Sequence, residues 1–425
     1  MAFLTNRRRG ALALMGLAAV AMLAACGEDD VPATGPANLE NELFRRYVAM
    51  GNSITAGYQS GGLNDSLQGR SYARLLATDI FKTSYQINRL RMPGCPAPTT
   101  SFGGGRVGGN TAPACSLTRT EAPSFVNNVA VPGATVLDAT NNNTPASNTL
   151  TVLLSGGQSQ VTRMLIADPT FLSVWLGNND VLGGATLGLP SPTPATANPV
   201  GIVSPGVTAV NTFTQRYQTM VDSIKLARNL DGGVLIGVVD VTNIPYFFTG
   251  AALDNATNRE MLNAAAGRTV TIHPNCAGNT DALIGLGIIQ LLRAIPNLPI
   301  SCAKVPNTSG GAGNDPVVGE LFVLDAGERT AVQTAVNGYN TFIQAKADEL
   351  GFAYLNPNEL LAAERTAGRV PAFPNFATPA GNIFGANFSF DAVHPSTRAH
   401  RALANAIARA VSTEYAIPLD TISVP

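Results

Sequence analysis

From Tyr47 onward, short apolar runs alternate with stretches whose apolar residues recur every three or four positions. An apolar run of four to eight residues reads as a strand, and recurrence at three to four reads as one buried face of a helix. On that basis "YVAMG" (47–51) is a first strand, and "SYARLLATDI" (71–80) is a helix with Tyr72, Leu75, Leu76 and Ile80 on one face. "FVNNVAVPGATVLD" predicts a second strand running through Gly133 into a helix start. "QVTRMLIADP" is a helix stopped by Pro169, and "FLSVWLG" is a third strand, apolar almost throughout as a strand covered on both faces should be. "TFTQRYQTMVDSIKLARN" spaces Phe213, Tyr217, Met220, Val221 and Ile224 helically, and "GGVLIGVVDV" is a fourth strand. A long helix over most of 331–350, a fifth strand "FAYLNP" and a closing helix "TRAHRALANAIARAVSTEY" complete the pattern. Strictly alternating strands and helices predict an α/β fold with a mostly parallel sheet of five strands, helices on both faces, in three layers.

Two stretches break this rhythm and read as insertions into a domain spanning 46–417. Residues 185–208 are rich in Pro, Thr and Gly, a loop of unusual length that a lid or a structureless connection would explain. Residues 250–318 surround "ALIGLGIIQLLRAIPNLPI", an apolar run too short to span a bilayer. Packing against the main domain is the expected use of that run, with an acyl-binding or membrane-touching surface as the alternative.

Composition changes little in this picture. With 45% hydrophobic and 13% charged residues, 42 glycines and 28 prolines, the 425-residue chain is globular and turn-rich. A formal charge of -1 argues against nucleic acid and against a basic membrane-binding surface. The first 25 residues carry a separate message: Arg7, Arg8 and Arg9 precede the apolar "GALALMGLAAVAMLAAC", the plan of a secretory signal. Its end, Leu23-Ala24-Ala25-Cys26, resembles the lipobox of bacterial lipoproteins, which implies cleavage before Cys26 and a diacylglycerol on its thiol. The mature chain would then hold 24 basic and 28 acidic residues, a charge of -4, and would begin with a polar tether over 26–45. Gly27 after the cysteine implies sorting to the outer membrane of a Gram-negative cell, at its periplasmic face or on the cell surface.

Four cysteines remain, Cys95, Cys115, Cys276 and Cys302, and an exported chain meets an oxidising compartment. Three pairings are possible; Cys95 with Cys115 and Cys276 with Cys302 is favoured because each pair brackets one loop-like segment. A zinc site is the rival, but no close CxxC pair occurs and the chain has only three histidines.

Ligands of an open parallel sheet collect at the carboxyl ends of its strands. There the first strand presents Ser53, the second Gly133 and the third Asn179. A serine is a poor nucleophile until a base takes its proton. Of the histidines, His394 has Asp391 three residues upstream, about one helical turn, where a carboxylate can reach its ring and fix its tautomer. His273 has no upstream acid and His400 lies at amphipathic spacing on the closing helix; both read as structural or exposed. An acyl transfer also needs donors aimed at an oxyanion. Gly133 could supply a backbone N–H from a helix start, or be a simple turn glycine; Asn179 could supply its amide, or cap a turn.

Together these residues carry a family resemblance. Four blocks occur in order: "GNSITAG" (51–57), "NVAVPGA" (128–134), "GNND" (177–180) and "DAVHP" (391–395). The chain thus resembles the SGNH/GDSL hydrolases. That resemblance implies a flavodoxin-like sheet, Ser53 as nucleophile, His394 as general base and acid, Asp391 as its partner, and an oxyanion hole from the Ser53 and Gly133 N–H groups and the Asn179 side chain. It implies ester hydrolysis through an acyl-enzyme with no metal or cofactor, on acyl lipids or small esters, or as an alternative on acetylated polysaccharide; a non-catalytic binding lipoprotein is the reading from another class. Asn52 departs from the family's Asp but keeps a side chain able to cap the turn. "DVTNIPYF" (240–247) looks like a segment of the larger lipase-like members. The glycine-rich "GYQSGG" (57–62) is expected at the rim of the substrate cleft.

Overall fold

Four of the predicted strands form one parallel sheet. In the computed structural model, which describes residues 42–109, 114–119, 123–141, 149–191, 195–197, 202–204, 206–295, 297–303, 321–378 and 380–425, they are β1 (Tyr47–Gly51), β2 (Phe171–Trp175), β3 (Gly232–Ile236) and β4 (Ala353–Leu355). They lie side by side in that order, every neighbour parallel. The chain divides into two units, Met1–Glu42 and Leu43–Pro425; only Glu42 of the first is described, and the fold is that of the second. The signal segment 1–25, Cys26 and most of the tether therefore lie outside the described residues.

The helices that flank the sheet are α1 (Ser53–Ala56), α2 (Tyr72–Leu75, prolonged by a π turn to Ile80), α3 (Gln160–Ala167), α4 (Asn179–Thr186), α5 (Val210–Ile224), α6 (Ala326–Leu350), α7 (Pro357–Thr366) and α8 (Thr397–Tyr415). Because side chains alternate along a strand, each strand feeds two cores. Val48, Met50, Leu172, Val174 and Leu235 point to the side covered by α3, α5 and α6. Tyr47, Ala49, Phe171, Trp175, Val234 and Ile236 point to the side covered by α2 and α8. This is the three-layer arrangement the periodicity predicts, and the unbroken apolarity of the strands follows from burial on both faces.

The second predicted strand is the correction, and the sheet has four strands rather than five. Residues 127–131 run along the outer edge of β1 without becoming a strand, touching it as a single parallel bridge between Ala49 and Asn128. Ala49 bonds to the Asn127 carbonyl and the Val129 N–H at 2.7 and 2.9 Å, and Val131 donates to the Gly51 carbonyl at 3.2 Å. The Gly51 N–H turns elsewhere, to the Gln160 side chain at 2.8 Å, so the ladder loses a rung. Pro132 then has no N–H to continue it. Nor does Gly133 open a helix: it is an exposed turn glycine at φ +83°, and the next helical turn begins only at Asp138.

Of the stretch 185–208, Ala195–Ala197 and Ile202–Ser204 pair as a short antiparallel ribbon, where a structureless loop or lid was the expectation. Within 250–318, the apolar run folds inward. Strands Phe247–Thr249, Leu283–Gly285 and Val323–Leu324 form an antiparallel sheet, with helices Ala256–Ala266 and Ile288–Ala294 beside it. Ile284, Ile288, Ile289, Leu292 and Ile300 are buried in a third core that also takes in Phe384 and Ala392, so this lobe supports the loop carrying Asp391. Both favoured disulfides are present, Cys95–Cys115 and Cys276–Cys302, which leaves no free thiols for a zinc site there. Among the described residues no helix is long and apolar enough to cross a membrane.

Candidate active site

Gly51, where β1 ends, has little room for a side chain: a Cβ would stand 2.1 Å from the Thr55 Oγ1 and 3.1 Å from the Trp175 carbonyl oxygen. Asn52 then caps α1, its Oδ1 accepting the Ile54 N–H at 3.0 Å, which is the capping role expected of it. Ser53 is the first residue of the helix, and Gly57 closes it at φ +93°. The tight strand–turn–helix leaves Ser53 8% exposed, with its hydroxyl on the sheet's carboxyl edge.

The partners come from a loop just before α8. Ser396 donates its N–H to the Asn387 carbonyl and Ser389 to that of His394, both at 2.9 Å, while Ala392 turns the chain at φ +61°. This folds His394 over Ser53: Nε2 lies 2.8 Å from Ser53 Oγ, and Nδ1 lies 2.9 Å from Asp391 Oδ2. Asp391 also accepts the Gly61 N–H on Oδ2 at 2.7 Å, and the Val393 N–H, the His394 N–H and the Ser389 hydroxyl on Oδ1 at 2.8–3.0 Å. Burial alone would raise its pKa, but the charge of His394 and these hydrogen bonds outweigh it and hold the carboxyl down at about 2. Asp391 is therefore a fixed anion against the ring of His394.

The remaining predicted residues fall as follows. Asn179 begins α4 at the end of β2 and donates its Nδ2 to the Ala134 carbonyl at 2.9 Å, which leaves the second amide hydrogen for another acceptor. Gly133 sits in the turn after Val131, beside the end of β1, and contributes a turn amide rather than a helix start. Neighbouring Asp180 ties the two segments together, accepting the Val136 N–H at 2.9 Å and the Thr208 hydroxyl at 3.1 Å; burial pushes its carboxyl up to about 6. His273 and His400 are structural, as read. His273 Nδ1 accepts the Asn275 N–H, and buried His400 accepts the Tyr72 N–H, with burial first and the charge of His394 second lowering it to about 3.

A cleft partly open to solvent runs from Ser53 and His394. Leu182, Val241, Ile244, Leu361, Phe388 and Leu403 make its walls apolar, with Asn178, Asn179, Asn387 and Glu364 as its polar points. Glu364 accepts from Arg369, Asn387 and Arg398, and the Arg369 hydrogen bond before all else holds it down at about 2, bracing the loop from Asn387 to Ser396. The "GYQSGG" stretch does not line this cleft. Its Gly61 donates to Asp391 from behind, its Ser60 N–H donates to Ser389 Oγ at 2.8 Å, and Tyr58 lays its ring 4.8 Å from that of His394. Sequence reasoning missed that role, as it missed Gln160 and Glu364, because each acts through a partner more than 20 residues away.

In chemical terms the arrangement presents a hydroxyl, a base able to take its proton and an anion behind the base, at the head of an apolar cleft. The family model described as "GDSL-like Lipase/Acylhydrolase" matches residues 47–407. No curated protein gives a significant match. Among solved structures, an acetylxylan esterase from Geobacillus stearothermophilus is similar at 13% identity, covering 86% of this chain and 93% of its own, with a TM-score of 0.35. A Parabacteroides merdae protein, whose own GDSL-like lipase assignment is a proposal, is similar at 12% identity, covering 87% and 96%, with a TM-score of 0.32.

Proposed function

The chain belongs to the GDSL-like lipase/acylhydrolase family and is a carboxylic ester hydrolase, and from that premise we propose an exported, lipid-anchored serine esterase acting on apolar acyl esters through Ser53, His394 and Asp391. The observation that supports the residue roles is the unbroken relay of 2.8 and 2.9 Å from Ser53 through His394 to Asp391. In the proposed reaction Ser53 Oγ attacks the ester carbonyl carbon while its proton passes to His394 Nε2. The Ser53 and Gly133 N–H groups and the free amide hydrogen of Asn179 receive the negative charge on the carbonyl oxygen. Collapse of that intermediate breaks the C–O bond, and the departing alkoxide takes the proton from Nε2. Water repeats the sequence on the acyl-Ser53, giving the carboxylic acid and the free enzyme.

The apolar walls of the cleft favour an acyl chain over an acetylated sugar. Each buried methylene contributes roughly 0.8 kcal/mol, up to about fourfold in kcat/KM. Across p-nitrophenyl esters from acetate to dodecanoate, kcat/KM should therefore climb two- to fourfold per methylene until the cleft is full. A polysaccharide O-acetyl esterase would instead prefer acetate and an acetylated sugar over butyrate, and that outcome would replace the acyl-ester reading.

Export and anchoring rest on Arg7 to Arg9, the apolar segment and Leu23-Ala24-Ala25-Cys26. A lipidated Cys26 makes the membrane a partner of the protein, most simply the outer membrane. Cells expressing the full chain should incorporate radiolabelled palmitate into it and carry it in the membrane fraction, whereas Cys26→Ala should lose the label. An unlabelled wild-type chain would remove the anchor from the proposal.

A further inference from the structure

Gln160 stands in the first turn of α3, capped by Ser159, and is 2% exposed. Its amide engages both backbone polar atoms of one residue. Oε1 accepts the Gly51 N–H and Nε2 donates to the Gly51 carbonyl, each at 2.8 Å. Gly51 ends β1, and only Asn52 separates it from Ser53.

The place this amide occupies belongs, in a regular parallel ladder, to a neighbouring strand. Ala49 has such a neighbour in Asn127 and Val129; two residues on, Gly51 meets Gln160 for its N–H. The Gly51 carbonyl receives Val131 as well, at 3.2 Å. One peptide oxygen thus joins the strand leading to Ser53, the side chain of Gln160 and the loop leading to Gly133. A polar side chain held in the core by two short hydrogen bonds fixes its partner more narrowly than apolar packing does.

We propose that Gln160 is a positioning residue, setting the end of β1 so that Ser53 meets His394 while the Val131–Gly133 turn keeps its place beside it. The proposal rests on the reading of Ser53 as the nucleophile. A misplacement of about 1 Å in a reacting group can cost about 100-fold in rate, so the end of β1 is a place where small shifts are felt.

The test compares the full-length protein with Gln160→Met and Gln160→Glu, measuring kcat and KM on a p-nitrophenyl ester. Rates are normalised to the Ser53 sites titrated by a fluorophosphonate, so that unfolded protein does not count. Gln160→Met keeps the volume and loses both hydrogen bonds; kcat per titrated site should fall about 10- to 100-fold with KM within about twofold. In Gln160→Glu the ionised side chain can accept from the Gly51 N–H but sets an oxygen against the Gly51 carbonyl, whereas the protonated form makes both bonds. Burial raises the pKa of such a carboxyl, so kcat of this variant relative to wild type should rise as pH falls from 8 to 5. A role confined to stability would lower the number of titrated sites and move neither quantity. The proposal is overturned if both variants keep kcat per site within about twofold of wild type at every pH. Should Gln160→Met fail to fold, the pH dependence of Gln160→Glu decides alone. Failure of the nucleophile reading would show separately, as wild-type turnover that survives Ser53→Ala.

Discussion

Ser53→Ala should reduce turnover of a p-nitrophenyl ester by a factor on the order of 10⁵ to 10⁶, the loss typical when a serine relay loses its nucleophile. It should also abolish labelling by a fluorophosphonate. The substitution removes one atom whose sole described partner is His394 Nε2. Asn52, not Ser53, caps α1, so the helix keeps its start and the melting temperature should move little. Substrate binding should survive too, because the apolar walls of the cleft are untouched. Labelling that persists in Ser53→Ala would place the reactive serine elsewhere; a folded wild type that neither labels nor turns over any ester would return the chain to a binding lipoprotein.

The parts of this molecule that were legible in its sequence are those governed by local pattern. β1 to β4 and the long helices announce themselves because burial on one face or two imposes a period. Ser53, His394 and Asp391 are legible because a turn glycine, a three-residue spacing and the order of the four blocks are sequence properties. What stayed hidden depends on distant partners. "FVNNVAVPG" has every mark of a strand, yet Gln160, more than 100 positions from Gly51, takes the rung that would have completed it. Gly133 read as a helix start because glycine serves turns and helix ends alike, and only the positive φ after Pro132 separates the two. "GYQSGG" read as the rim of a cleft because flexible polar loops commonly line one. Its Gly61 N–H instead reaches 330 positions along the chain to brace Asp391, a contact no window of sequence contains.

The bracing of Asp391 gives the second large effect a definite order. His394→Ala should cost nearly as much as the loss of Ser53, since no other described base stands within reach of the hydroxyl. Asp391→Asn should cost about 10⁴, for a different reason. Its amide donating to Nδ1 would put the imidazole proton on Nε2, the tautomer unable to accept from Ser53. The same substitution must also destabilise the fold, because both carboxylate oxygens already accept: Gly61 and His394 on one, Val393, His394 and Ser389 on the other. Whichever side the new amide turns to meets a donor, at roughly 1–3 kcal/mol for each buried donor left unpaired. The pH dependence follows in sign. With its folded-state pKa depressed to about 2, below the ordinary value near 3.9, Asp391 contributes stability that is complete above about pH 4 and is lost as pH falls through about 2. No ionisation of Asp391 should therefore enter the rate profile between pH 5 and 8. The difference in thermal stability between wild type and Asp391→Asn should narrow only in strong acid. An Asp391→Asn protein with wild-type kcat would show that the carboxylate merely holds the loop together, and the relay would then end at His394.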